Sequence, residues 1–253
     1  MFLGGIMPGI LMVLTLSVIG VFAARRAKVQ PVPFKAGAAL SALKESAWEI
    51  LLPVIILASY FGGLTTLVET GAIAVVYAFF VEVVIKKDLK MKDLPLLFRK
   101  CIPIVGGVLV ILAAAKGLSY YLIDAQVPVR LTEWVEANIS SKYVFLILLN
   151  LALLATGMLM DIFSAIMVVV PLIIPLGNLF GIHPVHLGAI FLANLELGYL
   201  TPPVGLNLFL ASYRFEKPLT QISRNVVPFF VAMLIVVLLI TYVPFLSTGL
   251  LPR

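Results

Sequence analysis

Eight long stretches of this chain carry almost no charge: 2–23, 47–63, 66–85, 101–123, 143–160, 162–180, 187–213 and 226–247. A helix needs about 20 mainly apolar residues to cross the hydrocarbon core of a bilayer, and inside that core its backbone must satisfy its own polar groups. The pattern predicts an all-α polytopic membrane protein. Composition agrees: 62% of the residues are hydrophobic, mean hydropathy is +1.15 and only 12% are charged, against roughly 25% in soluble domains.

The net charge of +6 is explained by short basic loops between apolar runs, which orient a membrane protein, so no nucleic-acid partner is expected. Cys101 stands alone, which excludes an internal disulfide and a multi-cysteine metal site; it reads as a small apolar filler at a helix start. Arg25 and Arg26 follow the first apolar stretch, the reverse of a signal peptide's charge order, so no cleaved leader is expected. The chain has no nucleophile elbow, phosphate loop or HExxH motif, and an enzyme reading has nothing specific to stand on.

Loops 24–45 (Arg25, Arg26, Lys28, Lys35, Lys44) and 86–100 (Lys86, Lys87, Lys90, Lys92, Arg99, Lys100) are assigned to the cytoplasm. The stretch between them then crosses twice, turning at Gly62-Gly63. The mixed-charge segment 124–142 lies outside, and its "PVRLTEWVEANISS" reads as a short interfacial helix with Trp134 near the headgroups. Loop 214–224 is again basic, so an odd number of crossings precedes it. Residues 158–161 are too few for a solvated cytoplasmic connector. A re-entrant hairpin at 143–180, turning at Gly157–Asp161, followed by one crossing at 187–213, meets the parity. The last span then leaves the C-terminus outside.

That crossing contains "NLELGYLTPPVGLNLF" (194–209), whose prolines and glycines break a helix. Carbonyls around 196–201 lose their donors, a state tolerated at membrane depth only where a cavity or ligand is served. Half-helix ends offer carbonyls to a cation and N–H groups to an anion, so the break reads as a binding site; the competing reading is a proline kink satisfied by neighbours. Asp161, a carboxylate near mid-bilayer, must face protein, water or a cation, and it also suits a hairpin-tip cap. Asn150, Asn194, Asn207 and Thr201 supply neutral polar groups, with interhelical bridging the leading role for Asn150. Glu69 and Glu196 either pair with a cation or cap. His183 and His186 sit in a Pro-containing loop without a third ligand and read as surface histidines.

The block "MDIFSAIMVVVPLIIPLGNLFGIHPVHLGAIFLANLELGYLTPPVGLNLF" (160–209), with "LGGIMPGIL" (3–11), "LLPVIILASYFGGLTTLVETGAIAVVYA" (51–78) and "LLNLALLATGMLMD" (148–161), resembles the large permease subunit of tripartite ATP-independent periplasmic (TRAP) transporters, the DctM-like permeases. The resemblance implies an elevator-type transporter fold with inverted repeats, each holding a re-entrant hairpin and a broken helix. It implies residues 1–142 as scaffold-type helices, 143–213 as hairpin plus broken helix and 214–253 as the last span, with the first repeat absent from this chain. Gly157, Met158 and Asp161 would fall at the hairpin tip and Glu196, Gly198 and Thr201 at the broken helix, the six forming a Na⁺ site. The anion would meet Asp161, Asn194, Thr201, Pro202, Pro203 and Asn207. Where relatives often carry a proline-shaped turn, this chain reads Thr66-Leu67-Val68-Glu69-Thr70-Gly71.

The implied function is import of organic anions, C4-dicarboxylates or other carboxylate-like solutes, by Na⁺ symport across a bacterial or archaeal inner membrane. Na⁺ is the coupling ion and no cofactor is expected. The implied partners are a small membrane subunit, a periplasmic binding protein and a separately encoded N-terminal permease half. The rival expectation is a non-transporting fragment or membrane scaffold lacking its first repeat. A channel-like pore is disfavoured by the single discontinuous helix and the lack of a filter repeat.

Overall fold

The computed structural model describes residues 2–28 and 35–251; residues 29–34, inside the basic stretch 24–45, lie outside the described residues. The described residues form helices and no strand: α1 (Phe2–Arg26), α2 (Ala36–Glu45), α3 (Ala47–Phe61), α4 (Leu67–Phe80, continued by a π-helical turn at Val81–Ile85), α5 (Leu94–Asp124), α6 (Val127–Asn138), α7 (Lys142–Leu159), α8 (Ile162–Leu179), α9 (Pro184–Gly198), α10 (Leu206–Phe215), α11 (Leu219–Tyr242) and α12 (Phe245–Thr248). Among them, six helical segments are long and apolar enough to cross a membrane: α1, α4 with its π turn, α5 with the turn before it, α7, α8 and α11. The protein is an all-α, multi-pass membrane protein.

Two expectations need correcting. Residues 36–45 are not loop but the helix α2, none of whose residues is buried. The candidate span at 47–63 is only the 15 residues of α3, about 22 Å of helix, short of the ~30 Å hydrocarbon core. The helix expected around Trp134 is present as α6, and Trp134 is exposed.

The chain divides into two units, residues 30–107 and residues 1–29 with 108–253, the boundary falling within α5. In the first unit α3 and α4 pack together across the Gly62-Gly63 turn. The Tyr77 hydroxyl donates to the Trp48 carbonyl (2.8 Å), and Lys86 pairs with Glu49. Glu69 caps: its carboxylate accepts from the Thr66 amide (2.7 Å) and hydroxyl (2.8 Å), and the Thr66 hydroxyl oxygen accepts from the Glu69 amide (3.4 Å). This capping box satisfies orphan donors at the start of α4.

In the second unit α9 is the axis. Its buried residues, Leu187, Ala189, Ile190, Phe191, Ala193, Asn194, Leu195 and Leu197 among them, cover most of its circumference, leaving a stripe through Leu192 and Glu196 exposed. One side packs with α7 and α8 through Leu149, Leu153, Ala165 and Ile173; the other packs with α11 through Met233, Val236, Val237 and Ile240. α1 packs on α9, α11 and α12.

Lipid is as apolar as leucine, so helix association here rests on close packing and hydrogen bonds rather than on escape from water. The outward faces show it: Phe22, Val75, Val110 and Leu151 are all more than half exposed. The glue inside is polar. The Asn194 amide donates to Asn150 Oδ1 (2.7 Å) and to the Ile190 carbonyl (2.9 Å). The Thr241 hydroxyl lies 3.0 Å from the same Asn150 oxygen, and the Asn150 amide donates to the Leu146 carbonyl (2.6 Å). One asparagine oxygen thus joins α7, α9 and α11. Asn150→Ala is expected to lower stability in detergent by about 1–2 kcal/mol, read from thermal unfolding, whereas the exposed Asn138→Ala should change it by less than about 0.5 kcal/mol.

Candidate functional site at the hairpin tip and helix break

Helices α7 and α8 form a hairpin joined by Met160 and Asp161 alone. Asp161 is the N-cap of α8. One carboxylate oxygen accepts from the Phe163 amide (2.9 Å) and the Ser164 amide (3.3 Å), and the other accepts from the Ser164 hydroxyl (2.5 Å). Capping accounts for this carboxylate's place at the tip: it satisfies donors that the start of a helix leaves orphaned. Three accepted bonds leave a lone-pair site, since a carboxylate offers about four.

The second element is the break between α9 and α10, residues 199–205. Pro202 and Pro203, joined by a cis peptide, have no amide to extend α9, and Gly205 sits at φ +44°, where a Cβ would lie 2.7 Å from the Thr201 carbonyl oxygen. The tight left-handed turn therefore needs glycine.

Tip and break meet backbone to backbone. A Cβ on Gly198 would stand 2.6 Å from Gly157 Cα and 3.0 Å from the Leu154 carbonyl oxygen; one on Gly157 would stand 2.9 Å from Leu195 Cα. Only paired glycines allow the C-terminal ends of α7 and α9 this approach, the small-residue packing that membrane helices favour. The Gly205 amide then donates to the Met158 carbonyl (3.3 Å), tying the break to the last turn of α7.

The break satisfies part of its own backbone: of the carbonyls across 196–201 expected to lose their donors, three are partnered and three are not. The Leu195 carbonyl accepts from the Tyr199 amide (3.0 Å), Leu197 from the Leu200 amide (3.1 Å) and the Thr201 hydroxyl (3.0 Å), Gly198 from the Thr201 amide (2.9 Å), and Tyr199 from the Asn207 amide (3.2 Å). Among the described residues, the carbonyls of Glu196, Leu200 and Thr201 have no such donor. Oxygens of this kind are what a hard cation coordinates.

Of the residues assigned from sequence, Gly157, Met158 and Gly198 come together, with Thr201 in the same break and Asp161 three residues beyond Met158. Glu196 is exposed and lines a cleft against α1 that also takes in Tyr199 of the break and Ile162 beside Asp161. Asn194 is 1% exposed and engaged between helices. Pro202 and Pro203 are exposed, and Asn207 opens α10.

Of the two histidines read as surface groups, His183 is exposed and caps α9, its Nδ1 accepting from the Val185 amide (3.2 Å). His186 is not: it is 3% exposed, with Nδ1 2.6 Å from the Ser247 hydroxyl and Nε2 3.2 Å from the Thr241 carbonyl. A carbonyl only accepts, so the Nε2 proton faces Thr241. Pro184 at the first turn marks a helix start, and a helix places His186 on the face of Ile190 and Leu197. That spacing was the available signal; Thr241 and Ser247, remote in sequence, gave none. Tyr199, whose hydroxyl is buried, also went unremarked.

Gly198→Ala should force α7 and α9 apart and destabilise by about 1–3 kcal/mol. Gly117→Ala, where no atom lies within 4 Å of the new methyl, should leave stability unchanged or raise it by up to about 1 kcal/mol. Thermal unfolding in detergent distinguishes the two.

Residues 1–246 match the family model described as "Tripartite ATP-independent periplasmic transporter, DctM component". The chain is 32% identical over 251 residues to the C4-dicarboxylate TRAP transporter large permease protein DctM of Pseudomonas aeruginosa, covering 99% of this chain and 59% of that one. It is 34% identical over 271 residues to the protein of the same name from Vibrio cholerae (99% and 60%), and 34% identical over 210 residues to that of Rhodobacter capsulatus (83% and 48%). The chain thus spans half to three-fifths of the length of these curated relatives. A match running from α1 through α11, across hairpin and break alike, leaves one assignment: the chain belongs to the family of the DctM component of tripartite ATP-independent periplasmic transporters.

Proposed function

We propose that this chain forms the membrane part of a TRAP-type secondary transporter in a bacterial inner membrane, importing organic anions by Na⁺ symport. C4-dicarboxylates, named for the three relatives, are the first solutes to try. The observation carrying the reading is the glycine-to-glycine contact between hairpin tip and helix break, locked by the Gly205 to Met158 hydrogen bond. It holds unpaired carbonyl oxygens beside a half-helix start, the pairing of devices that secondary transporters use for a cation and an anion.

On this reading the hairpin re-enters the membrane rather than crossing it, and the chain ends outside. Na⁺ takes carbonyls of the break and tip with help from Asp161 or Thr201. Its charge firms the tip against the break, and the positive start of α10 receives a carboxylate. A periplasmic binding protein delivers the solute and a small membrane subunit sits alongside. Because the chain spans only part of its relatives, transport is assigned to the assembly and not to this chain alone.

The test is uptake of a labelled organic-anion panel into proteoliposomes, with this chain alone and then with the remaining permease portion, small subunit and loaded binding protein. Na⁺-dependent uptake is expected only in the complete mixture. Asp161→Asn and Thr201→Ala should each raise the Na⁺ concentration for half-activation about tenfold, the effect of losing ~1.4 kcal/mol of ion binding. Na⁺ activation unchanged by both sinks the ion assignment. No uptake in any mixture, with folding verified, supports a non-transporting scaffold.

A further inference from the structure

His186 is a buried titratable side chain that the proposed ion and anion sites leave unused. It sits where the start of α9 meets the end of α11 and the short α12. Its hydrogen-bond partners are buried with it, Thr241 at 0% and Ser247 at 1% exposed. α1 closes over them: a Cβ on Gly4 would stand 2.7 Å from the Ser247 carbonyl oxygen. The joint is complete within this chain, every partner of the imidazole being supplied by α11 and α12.

Ser247 gives this joint two ways of being satisfied. Its hydroxyl oxygen lies 2.6 Å from His186 Nδ1 and 3.1 Å from the Pro244 carbonyl oxygen. With the imidazole neutral, Nε2–H donates to the Thr241 carbonyl and the Ser247 hydroxyl donates to the bare Nδ1. When a proton adds to the Nδ1 lone pair, the new N–H donates to the Ser247 oxygen and the hydroxyl hydrogen turns to Pro244. One proton is taken from water and no other covalent bond changes. Neither state strands a buried donor or acceptor, the penalty that ordinarily forbids a change of charge inside a protein. A hydroxyl can do this because it both donates and accepts.

Charge enters on both sides. The Thr241 carbonyl belongs to the last turn of α11, where a helix leaves carbonyls orphaned, and it has no backbone donor among the described residues. That end is the negative pole of α11 and favours an imidazolium, whose two hydrogen bonds also strengthen with the charge. Opposing it are burial, the positive start of α9, and the charges of His183 on α9 and Lys142 at the start of α7. α11 carries only Arg224, about 25 Å of helix away from Thr241. α12 carries no charged residue, and α1 only Arg25 and Arg26, at the end far from Gly4. Tyr242, next to Thr241, directs its hydroxyl to the Tyr143 carbonyl instead (3.4 Å).

We propose that His186 is an internal proton-binding site, filled and emptied with the fold intact, and that Ser247 is the group that turns to accommodate the charge. Occupancy reaches the bundle through Thr241, whose carbonyl meets His186 and whose hydroxyl lies 3.0 Å from the Asn150 oxygen that Asn194 also holds. The tie between α7, α9 and α11 thereby responds to pH. The assignment stands whatever ion or solute is carried.

The chain holds two histidines, so isotope-labelled histidine lets NMR resolve both in detergent. Ring-nitrogen shifts separate a bare nitrogen from an N–H and from an imidazolium, and are followed from pH ~8 to ~4, across the histidine range. His186 is expected as the Nε2–H form when neutral, and to titrate reversibly and separately from the exposed His183, with the circular dichroism of the fold unchanged. The side-chain amide signals of Asn150 and Asn194 should follow the His186 midpoint and cease to do so in His186→Gln. Ser247→Ala, which removes the acceptor for the new N–H, should lower that midpoint by about one pH unit. A His186 that stays neutral to pH ~4 in the folded chain, or takes its proton only as the fold is lost, overturns the proposal. So does a neutral ring with its hydrogen on Nδ1. A midpoint unmoved by Ser247→Ala, with folding verified, overturns the part given to Ser247, and asparagine signals that ignore the midpoint overturn the reach through Thr241. No readout uses uptake, so the transport reading fails or stands separately.

Discussion

A broken helix leaves backbone polar groups that other partners must meet, and that constraint shapes this molecule. At Thr201-Pro202-Pro203 the α9 backbone cannot continue, so its polar groups must be met by protein. They are met in part, the carbonyls of Glu196, Leu200 and Thr201 having no donor among the described residues. The end of α9 tightens onto its own carbonyls through the Leu200 and Thr201 amides and the Thr201 hydroxyl, and the Gly205 amide crosses to Met158 at the end of α7. The crossing is possible only because Gly157 and Gly198 let two backbones touch. A break in one helix thus dictates the placement of a hairpin tip from another.

The same economy holds one turn deeper. α9 is buried apart from the stripe through Leu192 and Glu196 and runs between α7 on one side and α11 on the other. In lipid such a helix gains little from burial alone, and the structure supplies directional ties instead: Asn194 to Asn150, Thr241 to the same oxygen, and His186 to Ser247 and the Thr241 carbonyl. These ties hold α9 in register, which places Gly198 against Gly157. Position of the break therefore depends on polar groups several residues away from it.

Much of this was legible in the chain. Apolar length located the long helices, the Gly/Pro cluster located the break, and Asp161 was readable as both tip and cap, because each rests on local backbone chemistry. What failed rested on partners remote in sequence. His186 looked like a loop histidine until Pro184 is read as a helix start, and even then Ser247 lies 61 residues away. Of the carbonyls of 196–201 expected to lose their donors, those of Leu197, Gly198 and Tyr199 are partnered after all, because the number of prolines says which donors are lost and nothing of how the chain folds back to replace them. Residues 36–45 looked like a loop because five basic residues across 24–45 masked a short helix. The family resemblance carried the site residues as a set, and the structure distributes them: Gly157 against Gly198, Met158 bonded to Gly205, Asn194 inside an interhelical tie, Glu196 in a cleft that borders the break at Tyr199.

Hairpin tip and helix break behave, on this account, as one packed element, the feature on which both the proposed ion site and the proposed anion site depend. Spin labels at Leu159 and Val204, both exposed and each adjacent to the Met158 to Gly205 contact, test it in lipid nanodiscs in a Cys101→Ser background. A single narrow distribution at the short limit of the method is predicted, broadening when Gly198→Ala is added. A broad or long distribution in the unsubstituted contact would contradict the account.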